Sequence, residues 1–196
     1  MYGHRKSSTS DQLRVALEHA AQGRHGKALQ HLNANLEMCC SQDDEAGEGR
    51  ACRNIGVIYC DLKESKKAIE FLLRGRDIAK KLQDRKAEGK ALLSLGVAYQ
   101  QQGSSERATH CYEEAIAMCQ ETGNIKGEGV ACENLAVLLT AMGNFKLAIH
   151  LHEKALTIAQ SCGDNTGFEV AQGNLEQTYG QQRRFTEALD KSKRRV

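Results

Sequence analysis

The chain has 196 residues, of which 40% are hydrophobic and only 5% aromatic, and it contains no proline and no tryptophan. The formal net charge of +2 is close to balance, and the basic excess lies at the two ends of the sequence. This charge pattern argues against a nucleic-acid-binding groove, and no apolar run approaches the roughly 18 residues that a membrane-spanning helix needs. We therefore expect a soluble, cytoplasmic protein with a core of aliphatic side chains, alanine and cysteine.

The first nine residues are polar and rich in serine, and they predict a flexible tail rather than a signal peptide. A 40-residue repeat follows and continues without a gap to the end of the chain. Alanine recurs in two series at this spacing, Ala28, Ala68, Ala108, Ala148 and Ala188, and Ala51, Ala91, Ala131 and Ala171. Such a fixed period is typical of repeat proteins whose units stack on one another.

Within each unit, the apolar residues follow the spacing of two helices joined by a short turn. Gly143 should end one helix in a left-handed conformation and Asn144 should cap the next, and Gly23 and Gly103 match Gly143, whereas Arg183 replaces the glycine in the last unit. The predicted helices are ten, near 10–22, 25–40, 46–61, 65–81, 86–101, 105–120, 126–141, 145–160, 166–181 and 185–194. The prediction is an all-α solenoid, an α–α superhelix of five helix-turn-helix repeats at about 10–45, 46–85, 86–125, 126–165 and 166–196.

Three first-helix segments carry a recognisable motif. They read Asn-Ile-Gly-Val-Ile-Tyr at 54–59, Ser-Leu-Gly-Val-Ala-Tyr at 94–99 and Asn-Leu-Ala-Val-Leu-Leu at 134–139. With this motif the chain resembles the tetratricopeptide repeat family. Its 40-residue period is similar to the subtype found in the Pins/LGN spindle-orientation proteins, and kinesin light chains are a looser match. The resemblance implies a scaffold that binds a peptide in a concave groove lined by first helices.

The resemblance places the partner-facing positions at Arg50, Arg53, Asn54, Lys90, Ser94, Val97, Glu133, Asn134, Val137, Asn174 and Gln177. The asparagine amides would hold the backbone of a peptide, because an amide both donates and accepts hydrogen bonds. The basic residues would favour acidic residues of that peptide. The asparagines have a second interpretation, in which they bond between helices and hold the repeats in register.

Other chemistry is not indicated. The eight cysteines form no Cys-x-x-Cys pair and alternate with alanine at helix positions that should be interior, so we expect reduced structural thiols and no metal. No nucleophile, zinc-protease or phosphate-loop motif is present, and His150 and His152 point to different sides of one helix. We therefore expect neither a cofactor nor catalysis. Two functions stay open. One is a peptide-binding scaffold or adaptor that is monomeric or weakly self-associating, and the other is a fragment or assembly module of a longer repeat protein that self-associates through its exposed last helix.

Overall fold

In the computed structural model, the backbone is described for residues 8–193 and the side chains for residues 8–187, so most of the predicted tail lies outside the described part. Every element in residues 8–193 is a helix, which confirms the predicted all-α repeat fold. The helices are α1 (Thr9–Ala21), α2 (His25–Ser41), α3 (Glu45–Asp61), α4 (Ser65–Lys81), α5 (Arg85–Gln101), α6 (Ser105–Glu121), α7 (Ile125–Ala141), α8 (Phe145–Ser161) and α9 (Asn165–Lys193).

The turns between these helices repeat at half the sequence period. From α2 onward the helix starts are evenly spaced, at positions 25, 45, 65 and so on to 165. Each turn contains one residue in the left-handed region, and these residues recur at the same spacing from position 23 to position 163. Glycine fills five of the eight positions, and Asp43, Lys63 and Gln83 fill the others with φ of 53°, 61° and 54°. The left-handed geometry predicted for Gly143 is confirmed, with φ of 79°.

Side-chain caps occur at the start of the first helix of a repeat. Asp44, Asp84, Asn124 and Asp164 each accept a hydrogen bond from the backbone N–H three residues later. Asn144 stands at the N-cap of α8, but its side chain makes no capping hydrogen bond, so that prediction is wrong. The four capping residues are each followed three positions later by glycine or alanine, which leaves room for the cap, whereas Leu147 occupies that position after Asn144.

Contacts divide the chain into two compact units, which meet between Ala108 and Thr109 within α6. The first unit contains α1 to α5. Part of its core is a cluster of buried residues from three helices, Ala16, Ala28, Leu32, Ile55 and Ile58. The Tyr59 and Phe71 rings stack beside this cluster at 5.8 Å between centroids.

The helices of the first unit approach closely where side chains are small. A Cβ added to Gly56 would lie 2.5 Å from Leu72 Cγ, and one added to Gly75 would lie 3.1 Å from the carbonyl oxygen of Gly49. Ala28, Ala68 and Ala108 are fully buried, as the periodic series predicts. Small residues therefore set the distance between helices, and burial of the aliphatic side chains around them stabilises each contact.

The second unit contains α7, α8 and α9. Its buried residues include Ala131, Leu135 and Ala136 of α7 and Ala148 and Ala155 of α8. Ala148 is fully buried like its equivalents in the first unit, while the side chain of Ala188 lies outside the described residues.

The last repeat departs from the prediction of two helices. The α9 helix continues without a break from Asn165 to Lys193, so residues 8–193 form nine helices rather than ten. Arg183 occupies the position that is left-handed in the preceding turns, where a side chain other than glycine is strained. Lys63 adopts the strained left-handed conformation, and there the packing of α4 against α3 and α5 offsets its cost. Arg183 instead bonds Glu187 one helical turn later, with Nε to Oε1 at 3.0 Å, and the helix continues.

Candidate functional site

A cleft opens in the first unit between α3, α4 and α5, with a volume of about 160 Å³. Its walls are small or aliphatic and include Gly49, Gly75, Ile78 and Ala79. Its charged lining, which defines the basic cleft of this article, consists of four cations and one carboxylate, Arg50, Arg53, Lys86, Lys90 and Asp84. Three of the predicted partner-facing residues, Arg50, Arg53 and Lys90, therefore lie together.

Positive charge in the basic cleft is poorly neutralised by the protein. Arg50 is more than half exposed, and its Nη2 lies 3.8 Å from Asp44 Oδ2, at the outer limit of an ion pair. Within residues 8–187, Arg53, Lys86 and Lys90 make no ion pair. Burial lowers the pKa of the half-buried Arg53 guanidinium, because desolvation disfavours the charged form. The lining carboxylate of Asp84 is engaged as the cap of α5, where it accepts the Ala87 N–H at 3.0 Å.

The other predicted residues of the first unit lie outside the basic cleft. Asn54, Ser94 and Val97 are half-buried on α3 and α5. The Ser94 hydroxyl donates to the carbonyl oxygen of Lys90 at 3.1 Å, within its own helix. Across the side chains that the structure describes, Asn54 has no hydrogen-bond partner. Its amide therefore keeps its donors and its acceptor for other groups.

A second cleft lies in the second unit between α7, α8 and α9, with a volume of about 330 Å³. Its lining is mainly apolar, and Val130 and Val170 are each about half exposed, at 49% and 51%. The predicted residues Glu133 and Asn134 also line this apolar cleft. In the part of the chain with described side chains, Asn134 makes no side-chain hydrogen bond, as is the case for Asn54.

Glu133 belongs to a polar network that links the three helices of the second unit. Its Oε1 accepts from Asn174 Nδ2 at 2.7 Å, and its Oε2 lies 2.9 Å from Nδ1 of the fully buried His152. A carboxylate only accepts, so this ring nitrogen donates, and Nε2 at the other side of the ring lies 3.2 Å from the Thr178 hydroxyl oxygen. Thr178 Oγ1 also lies 2.9 Å from Thr140 Oγ1. For Asn174, this contact supports the second interpretation, in which an asparagine bonds between helices and holds the repeats in register.

Beside the network is a further cavity of about 160 Å³, lined by the predicted residues Val137, Asn174 and Gln177 together with His152 and Thr178. Val137 and Gln177 are exposed on α7 and α9. The predicted residues of the second unit therefore divide between two cavities. Glu133 and Asn174, one from each set, are joined by a hydrogen bond between α7 and α9.

Sequence comparison with protein families matches residues 50–121 and 128–195, more than half of the chain, to the tetratricopeptide repeat. The chain belongs to the tetratricopeptide repeat family. Comparison with curated protein sequences gives no significant match. Proteins of this family are in general non-catalytic scaffolds for protein interactions.

Solved structures share the fold of this tetratricopeptide repeat protein at low sequence identity. Aspartyl phosphate phosphatase F from Bacillus subtilis is 14% identical with a TM-score of 0.80, over 94% of this chain and 50% of its own. A Rap protein complexed with competence and sporulation factor is 14% identical with a TM-score of 0.79, over 95% and 52%. A kinesin-light-chain-like protein from Podosopora anserina with nearly identical TPR-like repeats is 17% identical with a TM-score of 0.74, over 94% and 91%. The chain thus spans about half the length of the first two proteins.

The eight cysteines of this tetratricopeptide repeat protein all lie in the described part of the chain and form no disulfide, and six are buried, namely Cys39, Cys52, Cys60, Cys111, Cys119 and Cys132. Burial raises the pKa of Cys52, Cys60 and Cys132 to about 11. Among the described residues, no group of three or more histidine, cysteine or acidic side chains is placed to hold a metal ion. None of the described helices combines the length and the apolar character that a membrane span requires.

Sequence reasoning missed two features of these sites. Lys86 joins the basic cleft, and the signal for it was its position one helical turn before Lys90 on the same face of α5. For His152, the sequence indicated only that it points to a different side of its helix from His150, and in the structure it is the buried centre of a hydrogen-bond network. Its partners lie 19 and 26 residues away along the chain, which no local pattern reveals.

Proposed function

We propose that this protein is a non-catalytic scaffold that binds a peptide segment of a partner protein through the first helices of its repeats. The observation that supports this most directly is the free amides of Asn54 and Asn134, which occupy the same position in two copies of the repeat. A half-buried amide without a partner is well suited to hold the backbone of a bound segment, because it can donate and accept at once.

The surrounding side chains suit a partner with both acidic and apolar residues. In the first unit the exposed charges of Arg50 and Lys90 would attract carboxylates. In the second unit the exposed Val130, Val137 and Val170 would contact aliphatic or aromatic side chains. The proposed partner-binding residues are those named from the sequence, with Asn174 in a supporting role.

A more specific proposal is an adaptor role similar to that of Pins/LGN proteins, linking a G-protein or a cytoskeletal system. Its support is the gapless 40-residue period and the motifs at 54–59 and 94–99. The fold relatives include a Rap protein complexed with a factor and a kinesin-light-chain-like protein, which is consistent with partner binding on this fold.

Peptide display on the purified protein tests the proposal, followed by binding assays with the selected peptides. Asn54→Ala and Asn134→Ala should each lower affinity about fivefold or more while the thermal midpoint stays within about 1 °C, because neither amide supports the fold. Asn174→Ala is the matched comparison, since its amide bonds Glu133, and it should lower the midpoint. If no peptide is selected, or if Asn54→Ala and Asn134→Ala bind as the parent does, the proposal fails.

The second candidate is an assembly module, and exposed aromatic residues on α9 favour it. Tyr179 is 47% exposed and Phe185 is 53% exposed, although the Phe185 ring lies 5.8 Å from that of Phe145. Light scattering over a range of protein concentrations distinguishes the two functions. A mass that rises with concentration and returns to that of a monomer in Tyr179→Ser would support self-association through α9, and a constant monomer mass would exclude it.

A further inference from the structure

The basic cleft and the apolar cleft are the same site in two copies of the repeat. Residue for residue, the linings match at an offset of two repeats. The walls are kept, because Gly49, Ile78, Ala79 and Asp84 correspond to Gly129, Ile158, Ala159 and Asp164. The charged positions are not kept, because Arg50, Arg53, Lys86 and Lys90 correspond to Val130, Glu133, Thr166 and Val170.

This correspondence shows that the cations are not required to build the cleft. The apolar cleft keeps these four wall residues, although Ala155, Cys162 and Lys126 replace Gly75, Leu82 and Ala46. It forms between the equivalent helices without a cation at the four charged positions. A structural role for the four charges is therefore a poor explanation. Their clustering also raises the energy of the isolated protein, since like charges repel and Arg53 is partly desolvated without a carboxylate partner among the described side chains.

We propose that the basic cleft binds an acidic side chain, Asp or Glu, of the protein segment that the scaffold recognises. This inference rests on the proposed function and names the chemistry of one contact. The guanidinium of Arg53 would form the innermost contact, since it is less exposed than Arg50, Lys86 or Lys90. A carboxylate there gains charge-assisted hydrogen bonds and removes the repulsion among the cations.

A carboxylate fits the cleft better than a phosphate does. Phosphate sites commonly use free backbone N–H groups at the start of a helix. At the start of α5 the Ala87 N–H is already bonded to the Asp84 carboxylate, whose negative charge would repel a dianion. Gly49 and Gly75 lie inside α3 and α4, where backbone N–H groups serve the helix. The cleft therefore offers side-chain cations, while the Ala87 N–H and the N–H groups inside α3 and α4 are already engaged.

The apolar cleft supplies a variant that should fold. Arg50→Val, Lys86→Thr and Lys90→Val together transfer its side chains to the basic cleft, and Arg53→Gln completes this transferred variant. Glutamine is used at position 53 because the Glu133 carboxylate is held by His152 and Asn174, to which Leu72 and Ser94 correspond in the first unit. The control, Lys27→Glu with Lys66→Glu, removes the same net charge from exposed helix positions that lie outside the cleft. Circular dichroism and the urea midpoint show whether both variants keep the parental fold.

Peptide display is then run on the parent, the transferred variant and the control. The parent and the control should select peptides enriched in Asp or Glu at one position, and the transferred variant should lose this enrichment. The best acidic peptide should bind the transferred variant about tenfold more weakly or worse, and the control within about threefold of the parent. Single Arg53→Gln should retain the fold and lose much of the same affinity.

Each of the following results would overturn the proposal. The first is that the selected peptides lack acidic enrichment, or show the same enrichment on the transferred variant. The protein would then still bind peptides, but the basic cleft would not bind their acidic residues. Equal loss in the control would assign the effect to net charge. Displacement of the acidic peptide by inorganic phosphate at far lower concentration than by acetate would make the cleft a phosphate site. Failure to select any peptide would remove both this proposal and the proposed function.

Discussion

Replacing Thr178 by valine tests whether the buried network of the second unit stabilises the fold through His152. Valine has nearly the volume of threonine, so the change removes a hydroxyl and adds no cavity. The hydroxyl bonds Nε2 of His152, and it lies 2.8 Å from the carbonyl oxygen of Asn174 in its own helix. The Asn174 carbonyl lies one helical turn before Thr178 and retains its backbone bond, whereas the ring nitrogen loses the Thr178 hydroxyl.

The expected cost follows from burial. The His152 side chain is 0% exposed although it lines the neighbouring cavity, and valine fills the space of threonine, so Nε2 gains no water contact in place of the lost hydroxyl. A buried polar atom left without a partner costs about 1–3 kcal/mol, and we expect Thr178→Val to lower the free energy of unfolding by that amount. For a chain of this length, this corresponds to a fall in the thermal midpoint of about 2–10 °C.

Urea unfolding followed by circular dichroism measures the change. Thr157→Val is the matched control, because its hydroxyl makes the same bond to a carbonyl four residues earlier, at 2.9 Å, on an exposed helix face. The control should stay within about 0.5 kcal/mol of the parent. In a His152→Leu background, Thr178→Val should cost less or stabilise, since no ring nitrogen needs the hydroxyl. Equal costs in both backgrounds would refute the assignment of the effect to His152.

Two further predictions concern the core. Ala148→Leu should lower the free energy of unfolding by about 1–3 kcal/mol because it overpacks a fully buried contact, and an unchanged urea midpoint would contradict the close approach of helices there. The buried thiols of Cys52, Cys60 and Cys132 have a pKa of about 11 in the folded protein against about 8.5 when unfolded, so stability should be constant below about pH 8 and fall as pH rises toward 11. Replacing the three by alanine should flatten this alkaline fall in urea midpoints measured at successive pH values, and an unaltered pH profile would show that other groups cause it.

The helix limits could be predicted from the sequence because the same turn recurs in nearly every copy of the repeat. Predicted limits such as 25–40 and 126–141 differ by one residue from His25–Ser41 and Ile125–Ala141. The prediction was wrong where one copy differs from the others. At Arg183, a continuous helix lets the side chain bond Glu187 one turn later, so the predicted turn is absent. At Asn144, the bulky Leu147 occupies the position where the capped helices have glycine or alanine, so the predicted capping bond is absent.

The candidate sites could be predicted only in part. Helical spacing and the family resemblance predicted that Arg50, Arg53 and Lys90 are partner-facing. The structure places the three residues in one cleft. The bond from Asn174 to Glu133 joins residues 41 positions apart on different helices. Which amide is free and which is bonded depends on such long-range partners, and one sequence cannot show them.

The regular spacing of the left-handed turn residues has an evolutionary consequence. Because every second turn occupies an equivalent place in the repeat, an unequal exchange between two such turns deletes or duplicates one helix pair and leaves the remaining helices in frame. The array can therefore change its length by genetic recombination without passing through a broken fold. Copied repeats can then diverge at their surface. The two matching clefts fit such a history, because equivalent positions are basic in one copy and mainly apolar in the other.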